Sequence, residues 1–200
     1  MPILHSKYEI PGDDGQHEVL PNLLGITTIE EIHKAEFEGF LKAQYLLLDE
    51  LTTQTVFDFN YIQRIHQLSL CKLYDFAGQL RSVNMTKGGF LFPTAKFLPR
   101  ITHDFEDRML KALPHYYTNK EALIHDIALV HAELLFIHPF REANGRVARV
   151  LANMMAVKQG YDFLGFYKIT KRQFTDYIKA VQSAADENYN PMVKIIETIF

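Results

Sequence analysis

The stretch from Ala122 to Ile137, ALIHDIALVHAELLFI, constrains the fold more than any other part of the chain. Thr118 and Glu121 precede it with the spacing of a capping box, which predicts that a helix begins here and continues to Ile137. Apolar residues occupy nearly every side of that helix, so other elements must surround it. With two histidines, an aspartate and a glutamate, it is too polar and too short to span a bilayer. The stretch predicts the buried central helix of an all-α bundle.

Further helices are predicted around this centre, each from a start signal and apolar residues at helical spacing. They run from Thr28 to about Leu51, from about Asp58 to Gly78, from near Thr102 onward, through VARVLANMMAVKQG to Gly160, from Thr170 onward, and after Asn190–Pro191. Residues 1–24 are rich in Gly, Pro and Asp and predict an irregular N-terminal arm. Residues 25–200 then form a single helical domain.

One segment interrupts the helical pattern. The stretch RSVNMTKGGFLFPTAKFLP, from Arg81 to Pro99, alternates weakly and contains Gly88–Gly89 at its middle. A pair of glycines between short apolar runs predicts a β-hairpin that projects from the bundle as a small flap. A plain surface turn is the alternative interpretation.

Composition narrows the classes of partner and compartment. The net charge is −3 and the isoelectric point about 6.3, with both signs interspersed, so neither nucleic acid nor an anionic membrane is expected as a partner. The single cysteine, Cys71, excludes an internal disulfide and a cysteine-rich zinc site and suits a reducing compartment. The N-terminus does not have the pattern of a signal peptide, so the predicted location is the cytoplasm.

The stretch HPFREANGRVAR, from His138 to Arg149, concentrates chemistry directly after the apolar helix. Pro139 prevents the helix from continuing, which holds the His138 imidazole on a rigid support. A neutral histidine accepts a proton from a hydroxyl near pH 7, so His138 is a candidate general base. We predict that Phe140 turns inward as the apolar anchor of the loop, alongside its nucleotide-binding residues.

The remaining residues of this stretch are suited to a polyphosphate. Glu142 is a hard oxygen ligand of the type that Mg²⁺ uses together with phosphates. Ala143, Asn144 and Gly145 are small residues at a helix start, where backbone amides approach an anion closely. The next helical turns carry Arg146 and Arg149 on one face, and their mutual repulsion is relieved if phosphates lie between them.

The same stretch resembles the Fic-family signature, His-Pro-Phe-x-(Asp/Glu)-Gly-Asn-Gly-Arg-x-x-Arg, and LYDFAGQLRSVNMTKGGFLF resembles the segment leading to that family's target-docking flap. The resemblance implies a helical bundle with a flap and an enzyme that transfers AMP from Mg-ATP to a protein Ser, Thr or Tyr hydroxyl. His138 would be the base and Glu142 the Mg²⁺ ligand. The nucleotide would be bound by Phe140, Ala143, Asn144, Gly145, Arg146 and Arg149, and the flap would be marked by Gly88, Gly89 and Phe90.

Ala143 departs from the family pattern, which usually has glycine there. Related proteins that transfer phosphate or phosphocholine also carry alanine, so these transfers are alternatives to AMP transfer. However, the phosphate-transferring type usually has lysine at the position of Gly145 and lacks Pro139. A non-catalytic Fic-like binding module is the alternative from another class.

Many family members are inhibited by a helix of pattern (Ser/Thr)-x-x-x-Glu-(Gly/Asn) whose glutamate pairs with the second motif arginine, here Arg149. KAEFEG, from Lys34 to Gly39, approaches this pattern, so Glu38 is a candidate inhibitory residue. SAADEN, from Ser183 to Asn188, fits it by letter, but it also resembles an ordinary loop before the last Fic helix. A separate antitoxin-like regulator, a homo-oligomer or no inhibition at all are the other options.

Overall fold

The computed structural model describes residues 19–87 and 89–200, and these form an all-α bundle with one small hairpin, as predicted. The helices are α1 (Ile29–Asp49), α2 (Phe59–Leu70), α3 (Leu98–Arg108), α4 (Lys120–Ile137), α5 (Asn144–Lys158), α6 (Lys171–Gln182) and α7 (Asn190–Ile199). Most of the predicted arm, residues 1–18, lies outside the described residues, and no helix or strand occurs from Val19 to Thr28. None of the described helices has the length and apolar character to cross a membrane.

Helix α4 is the centre of the bundle. It packs against α3, α5, α6 and α7, and most of its side chains are buried. Its N-cap is Asn119, one residue after the predicted Thr118, because the Asn119 Oδ1 accepts a hydrogen bond from the Ala122 amide at 2.8 Å. The core that surrounds α4 fixes the position of its C-terminal end, where His138 lies.

Two helix boundaries differ from the prediction. Helix α2 ends at Leu70 rather than at Gly78, because the segment after it folds back and the Gly78 amide donates to Nδ1 of His66 at 2.7 Å. Helix α3 begins at Leu98 rather than near Thr102. Pro99 lies in its first turn, where a missing amide costs no intrahelical hydrogen bond.

Helix α1 lies close against α2 and also contacts α5. A Cβ atom on Gly39 would collide with the carbonyl oxygen of Ser69, so glycine permits the approach of the two helices. This approach brings the Glu36 side chain, which is buried, toward the start of α5.

The predicted flap is a hairpin rather than a plain turn. Strands β1 (Thr86–Lys87) and β2 (Phe90–Leu91) are antiparallel, with Thr86 opposite Leu91. Gly89 has φ +79° in the turn, a conformation that favours glycine, whereas the predicted flap residue Gly88 lies outside the described residues. Beneath the strands, the Phe92 amide donates to the Met85 carbonyl at 3.1 Å.

Candidate active site

Residues 138–143, here called the motif turn, connect α4 to α5. His138 is the C-cap of α4 with φ +50°, and Ala143 is the N-cap of α5 with φ +64°. Both residues therefore adopt the left-handed conformation that glycine tolerates best, at a cost of about 1–2 kcal/mol for each side chain. The Ala143 conformation supplies a physical reason for a glycine preference at this position.

Buried side chains hold the motif turn from inside. Asn144 accepts from the Phe140 amide at 2.9 Å and donates to the Phe140 carbonyl at 2.7 Å. The Phe140 ring is fully buried and stacks on His66 at 4.1 Å between centroids. The His66 Nδ1 accepts from Gly78, so its Nε2 donates to the Glu142 carbonyl at 3.3 Å. Phe140 thus lies inside the fold as an anchor. Unlike the other predicted nucleotide-binding residues, it does not line the cavity beside the motif turn.

A cavity of about 280 Å³ opens beside the motif turn. This volume is near the lower limit of about 300–1,000 Å³ for small-molecule pockets. Seven predicted site residues line it: His138, Glu142, Ala143, Asn144, Gly145, Arg146 and Arg149. The other lining residues come from α4, the flap and α6: Leu135, Lys87, Phe92, Phe174, Tyr177, Ile178 and Val181.

His138 is held with one ring nitrogen available. Its Nδ1 lies 3.1 Å from the Leu135 carbonyl, and because a carbonyl only accepts, Nδ1 carries the proton and Nε2 keeps a lone pair. The ring stacks on Phe92 with centroids 3.9 Å apart. Burial, reinforced by the positive charges of Lys87 and Arg81, lowers the pKa of His138 to about 4. The imidazole is therefore neutral at pH 7, as a general base requires.

Three histidines with lowered pKa values make stability dependent on pH. Burial lowers the pKa of His66 and His138 to about 4 and that of His131 to about 3. Since a histidine in the unfolded chain titrates near 6.5, the unfolded state binds more protons below that pH, and stability falls as the pH falls. We expect the free energy of unfolding to decrease by about 2 kcal/mol between pH 7 and pH 6. Urea unfolding at both pH values measures this, and equal stabilities would contradict it.

The two motif arginines have different surroundings. Arg146 pairs with Glu36 at 2.8 Å and lies 3.6 Å from Glu142, with its guanidinium over the Phe40 ring. Arg149 forms no ion pair with a carboxylate of the described residues, and burial lowers its pKa. A half-buried cation without a counter-ion favours an anionic ligand. The cavity therefore has one arginine neutralised by the protein and one available to bind phosphate.

Backbone amides add to this positive potential. Within the described part of the chain, the amides of Asn144 and Gly145, the first two of α5, have no acceptor. Free amides at a helix N-terminus, together with the helix dipole, attract anions. Glu142 lies beside them, and its Oε1 accepts from the Ala143 amide at 2.9 Å. No group of three or more acidic, histidine or cysteine side chains suited to a metal occurs in residues 19–87 and 89–200, so a metal here would also need ligand oxygens.

Several lining residues were not anticipated from the sequence. Lys87 on β1 and Phe92 after β2 reach the cavity beside His138, and α6 supplies an apolar wall. Tyr177 in that wall is held by His131, whose Nδ1 donates to the Ala148 carbonyl, so its Nε2 accepts from the Tyr177 hydroxyl at 2.6 Å. The lining residues of α6 lie at ordinary helical spacing, and since many core helices share that spacing, the sequence does not distinguish this face as the wall of a cavity.

The structure does not bring Glu38 to the cavity. Its side chain is exposed on α1 and pairs with Lys42 at 3.9 Å, while Glu36, on the opposite side of the helix, contacts the first motif arginine. Glu187 of the SAADEN stretch pairs instead with Arg108 at 2.7 Å. The resemblance of KAEFEG to an inhibitory helix therefore has a simpler explanation in helix packing through Glu36 and Gly39.

The model of the Fic/DOC family matches residues 56–156, a segment that includes α2, the flap, α4 and the motif turn. A curated relative, protein adenylyltransferase VbhT of Bartonella schoenbuchensis, is 28% identical over 163 residues. The alignment covers 78% of this chain and 33% of VbhT, so the chain spans about a third of that relative.

Solved structures give the same picture of the fold. A Fic domain of a putative cell filamentation protein from Bartonella quintana, solved with bound ADP, has a TM-score of 0.75 and 22% identity, covering 92% of this chain and 91% of that one. BepC of Bartonella tribocorum, solved with bound AMPPNP, has a TM-score of 0.73 and 22% identity, with 92% of each chain covered. This chain thus has the fold of these domains.

Proposed function

The chain belongs to the Fic/DOC family, and on this basis we propose that it is a protein adenylyltransferase, which transfers AMP from ATP to a hydroxyl side chain of a target protein. One observation carries the proposal: a neutral His138 faces the same cavity as Arg149, which pairs with no carboxylate of the described residues. The name of VbhT and the nucleotides in the two neighbouring structures support the same activity and substrate.

The nucleotide is proposed to lie along the cavity with its phosphates at α5. Arg149 and the amides of Asn144 and Gly145 supply the positive potential that binds them. The adenosine then lies against the apolar wall of α6, formed by Phe174, Ile178 and Val181. Arg146 also lies beside the phosphates. Because Glu36 already balances its charge, Arg146 contributes to the orientation of the phosphates more than to their neutralisation.

The donor set fits a magnesium ion bound together with the nucleotide. Glu142 is the carboxylate of the motif turn that lines the cavity, and Mg²⁺ typically takes one or two carboxylates and completes its shell with phosphate oxygens and water. When bound, the ion would neutralise charge on the phosphates.

His138 supplies the proton transfer. The oxygen of the target hydroxyl attacks the α-phosphorus of ATP as its proton passes to Nε2 of His138. The bond from the α-phosphorus to the bridging oxygen of the β-phosphate breaks, and pyrophosphate leaves. Because Nδ1 is held by Leu135, the accepting nitrogen keeps a fixed direction. Catalysis then rests on orientation and on positive charge around the phosphates.

The target segment is proposed to bind at the flap. Within the described residues the sheet has two strands, so β2 has an outer edge that no other strand of the sheet covers. An extended segment of the target would add to one edge by main-chain hydrogen bonds. Phe92 joins the flap to the stacked His138 ring, which brings a bound hydroxyl near the base.

The proposal also covers the extent of the domain, its location, its partners and its regulation. We infer that residues 25–200 form one catalytic domain that works in the cytoplasm, without nucleic acid or membrane as a direct partner. A homo-oligomer or an antitoxin-like protein is the proposed form of regulation, since Glu38 does not reach Arg149. Because residue 143 is alanine where the family usually has glycine, phosphate and phosphocholine transfer stay the alternative reactions.

Transfer from labelled ATP tests the function. The protein is incubated with a cell lysate and ATP labelled either at the α- or at the γ-phosphate, and modified proteins are analysed by mass spectrometry. AMP transfer labels proteins only from α-labelled ATP, with the mass of AMP added. Label from the γ-phosphate, or an added phosphocholine, would favour the alternative transfers. Stabilisation by Mg-ATP without any transfer would indicate a binding module.

A further inference from the structure

Arg81 is a buried arginine that the proposed reaction does not use. Only 4% of the residue is exposed, and among the described residues no carboxylate pairs with it. Burial alone lowers its pKa to about 10. Burying a cation without a counter-ion is costly unless its hydrogen bonds are satisfied, so the partners of Arg81 indicate its purpose.

One group of partners belongs to the motif turn and the end of α4. The Arg81 Nε donates to the His138 carbonyl at 2.7 Å, and an Nη lies 3.5 Å from the Ile137 carbonyl. The Arg81 backbone amide donates to the Pro139 carbonyl at 2.8 Å. Arg81 therefore binds the backbone on both sides of the proposed base.

The other group of partners flanks the flap. One Nη donates to the carbonyl of Val83, before β1, at 2.7 Å. The other donates to the carbonyl of Pro93, after β2, at 2.6 Å. A single guanidinium thus connects both ends of the hairpin to the turn that carries His138.

This arrangement requires arginine chemistry. A guanidinium has five donors in one plane, enough to satisfy carbonyls that belong to separate segments. A lysine ammonium keeps the charge, but its three donors diverge from one point and cannot span the same carbonyls.

We propose that Arg81 is a positioning residue that fixes the flap and His138 relative to each other, so that a hydroxyl held on the flap meets Nε2 of the base. The proposal builds on the transfer reaction proposed above. It predicts that loss of the guanidinium separates two properties: nucleotide binding persists, because Arg149 and the α5 amides are not contacted by Arg81, whereas transfer to a protein hydroxyl is lost.

The test compares Arg81→Lys with Asn84→Ala. Asn84 accepts from the Ala95 amide at 2.9 Å near the same end of the flap, but it has no bond to the motif turn. For Arg81→Lys we expect transfer of label from α-labelled ATP into lysate proteins to fall by about 100-fold, the effect of a misplacement near 1 Å. Exchange of the Phe92 amide should accelerate about 10-fold or more, since charged hydrogen bonds are lost. Asn84→Ala should change transfer by no more than about two-fold.

Calorimetric measurement of AMPPNP affinity distinguishes a loss of positioning from a collapse of the site. We expect the AMPPNP affinity of Arg81→Lys to be within about two-fold of that of the unmodified protein. Unchanged transfer or unchanged flap exchange in Arg81→Lys would overturn the proposal, as would equal losses of transfer and AMPPNP affinity.

If Arg81→Lys does not fold, hydrogen exchange of the unmodified protein decides: the Arg81 Nε proton and the Phe92 amide should show the same protection, and unequal protection would overturn the proposal. If the unmodified protein transfers no AMP, the proposed transfer reaction is wrong. The exchange measurements then still test whether Arg81 couples the flap to the motif turn.

Discussion

Replacing His138 with alanine is expected to lower the rate of AMP transfer by about 10²–10⁴-fold, the usual contribution of a general base. The loss follows from the geometry of the ring: Leu135 holds Nδ1, and Nε2 is the nitrogen left to accept a proton. The initial rate of label transfer from α-labelled ATP measures the effect. AMPPNP affinity should be retained, because the proposed phosphate contacts come from α5.

A matched variant controls for the backbone. His138 has φ +50°, and asparagine tolerates this conformation better than alanine does. His138→Asn should therefore fold at least as well as His138→Ala and lose transfer equally, since neither side chain is a base. Full labelling by either variant would remove His138 from the mechanism, and recovery in His138→Asn alone would assign the effect to backbone conformation.

Methionine in place of each motif arginine is expected to change stability in opposite directions. Arg149 has no carboxylate partner among the described residues, so Arg149→Met should relieve buried charge and raise the free energy of unfolding by about 1 kcal/mol. The same change removes a phosphate contact, and the affinity for AMPPNP should fall by about 10–100-fold.

Arg146→Met should instead destabilise the fold. Its partner Glu36 has a side chain only 5% exposed, and the loss of Arg146 leaves that carboxylate buried without its counter-ion. We expect a loss of about 3 kcal/mol, the lower end for a buried pair, because the arginine itself is partly exposed. Adding Glu36→Gln to Arg146→Met should recover part of the loss.

Urea unfolding and calorimetric titration with AMPPNP measure both effects in the two variants. Similar destabilisation of both variants would mean that Arg149 has a protein partner in solution. A retained AMPPNP affinity in Arg149→Met would contradict the placement of phosphates at α5.

The central elements of the fold could be predicted from local sequence. The apolar periodicity before His138 predicts α4 because a helix buried on all sides carries that pattern in its own residues. The His138–Arg149 stretch is likewise local: its residues are adjacent in the chain, and every predicted site residue in it except Phe140 lines the cavity. The hairpin was predicted from its paired glycines, and the structure places it beside the base.

The missed features depend on residues far apart in the chain. Glu36 and Arg146 are joined by the packing of α1 on α5, and neither local sequence contains a sign of the other. The helix predicted to continue to Gly78 ends early because His66 binds the Gly78 amide, a tertiary contact that outweighs helix propensity. The assignment of Glu38 as an inhibitory residue stays a prediction from spacing alone, since the face of α1 that meets α5 carries Glu36 instead.

The ion pair between α1 and α5 also bears on how this protein can be divided. The segment shared with the family model begins at residue 56, yet the carboxylate that neutralises its first arginine comes from residue 36. A fragment that began at residue 56 would keep the whole motif but would lose the carboxylate that pairs with Arg146. The segment that matches the family model is thus shorter than the unit that electrostatics requires, and we expect a stable minimal version of this domain to include α1.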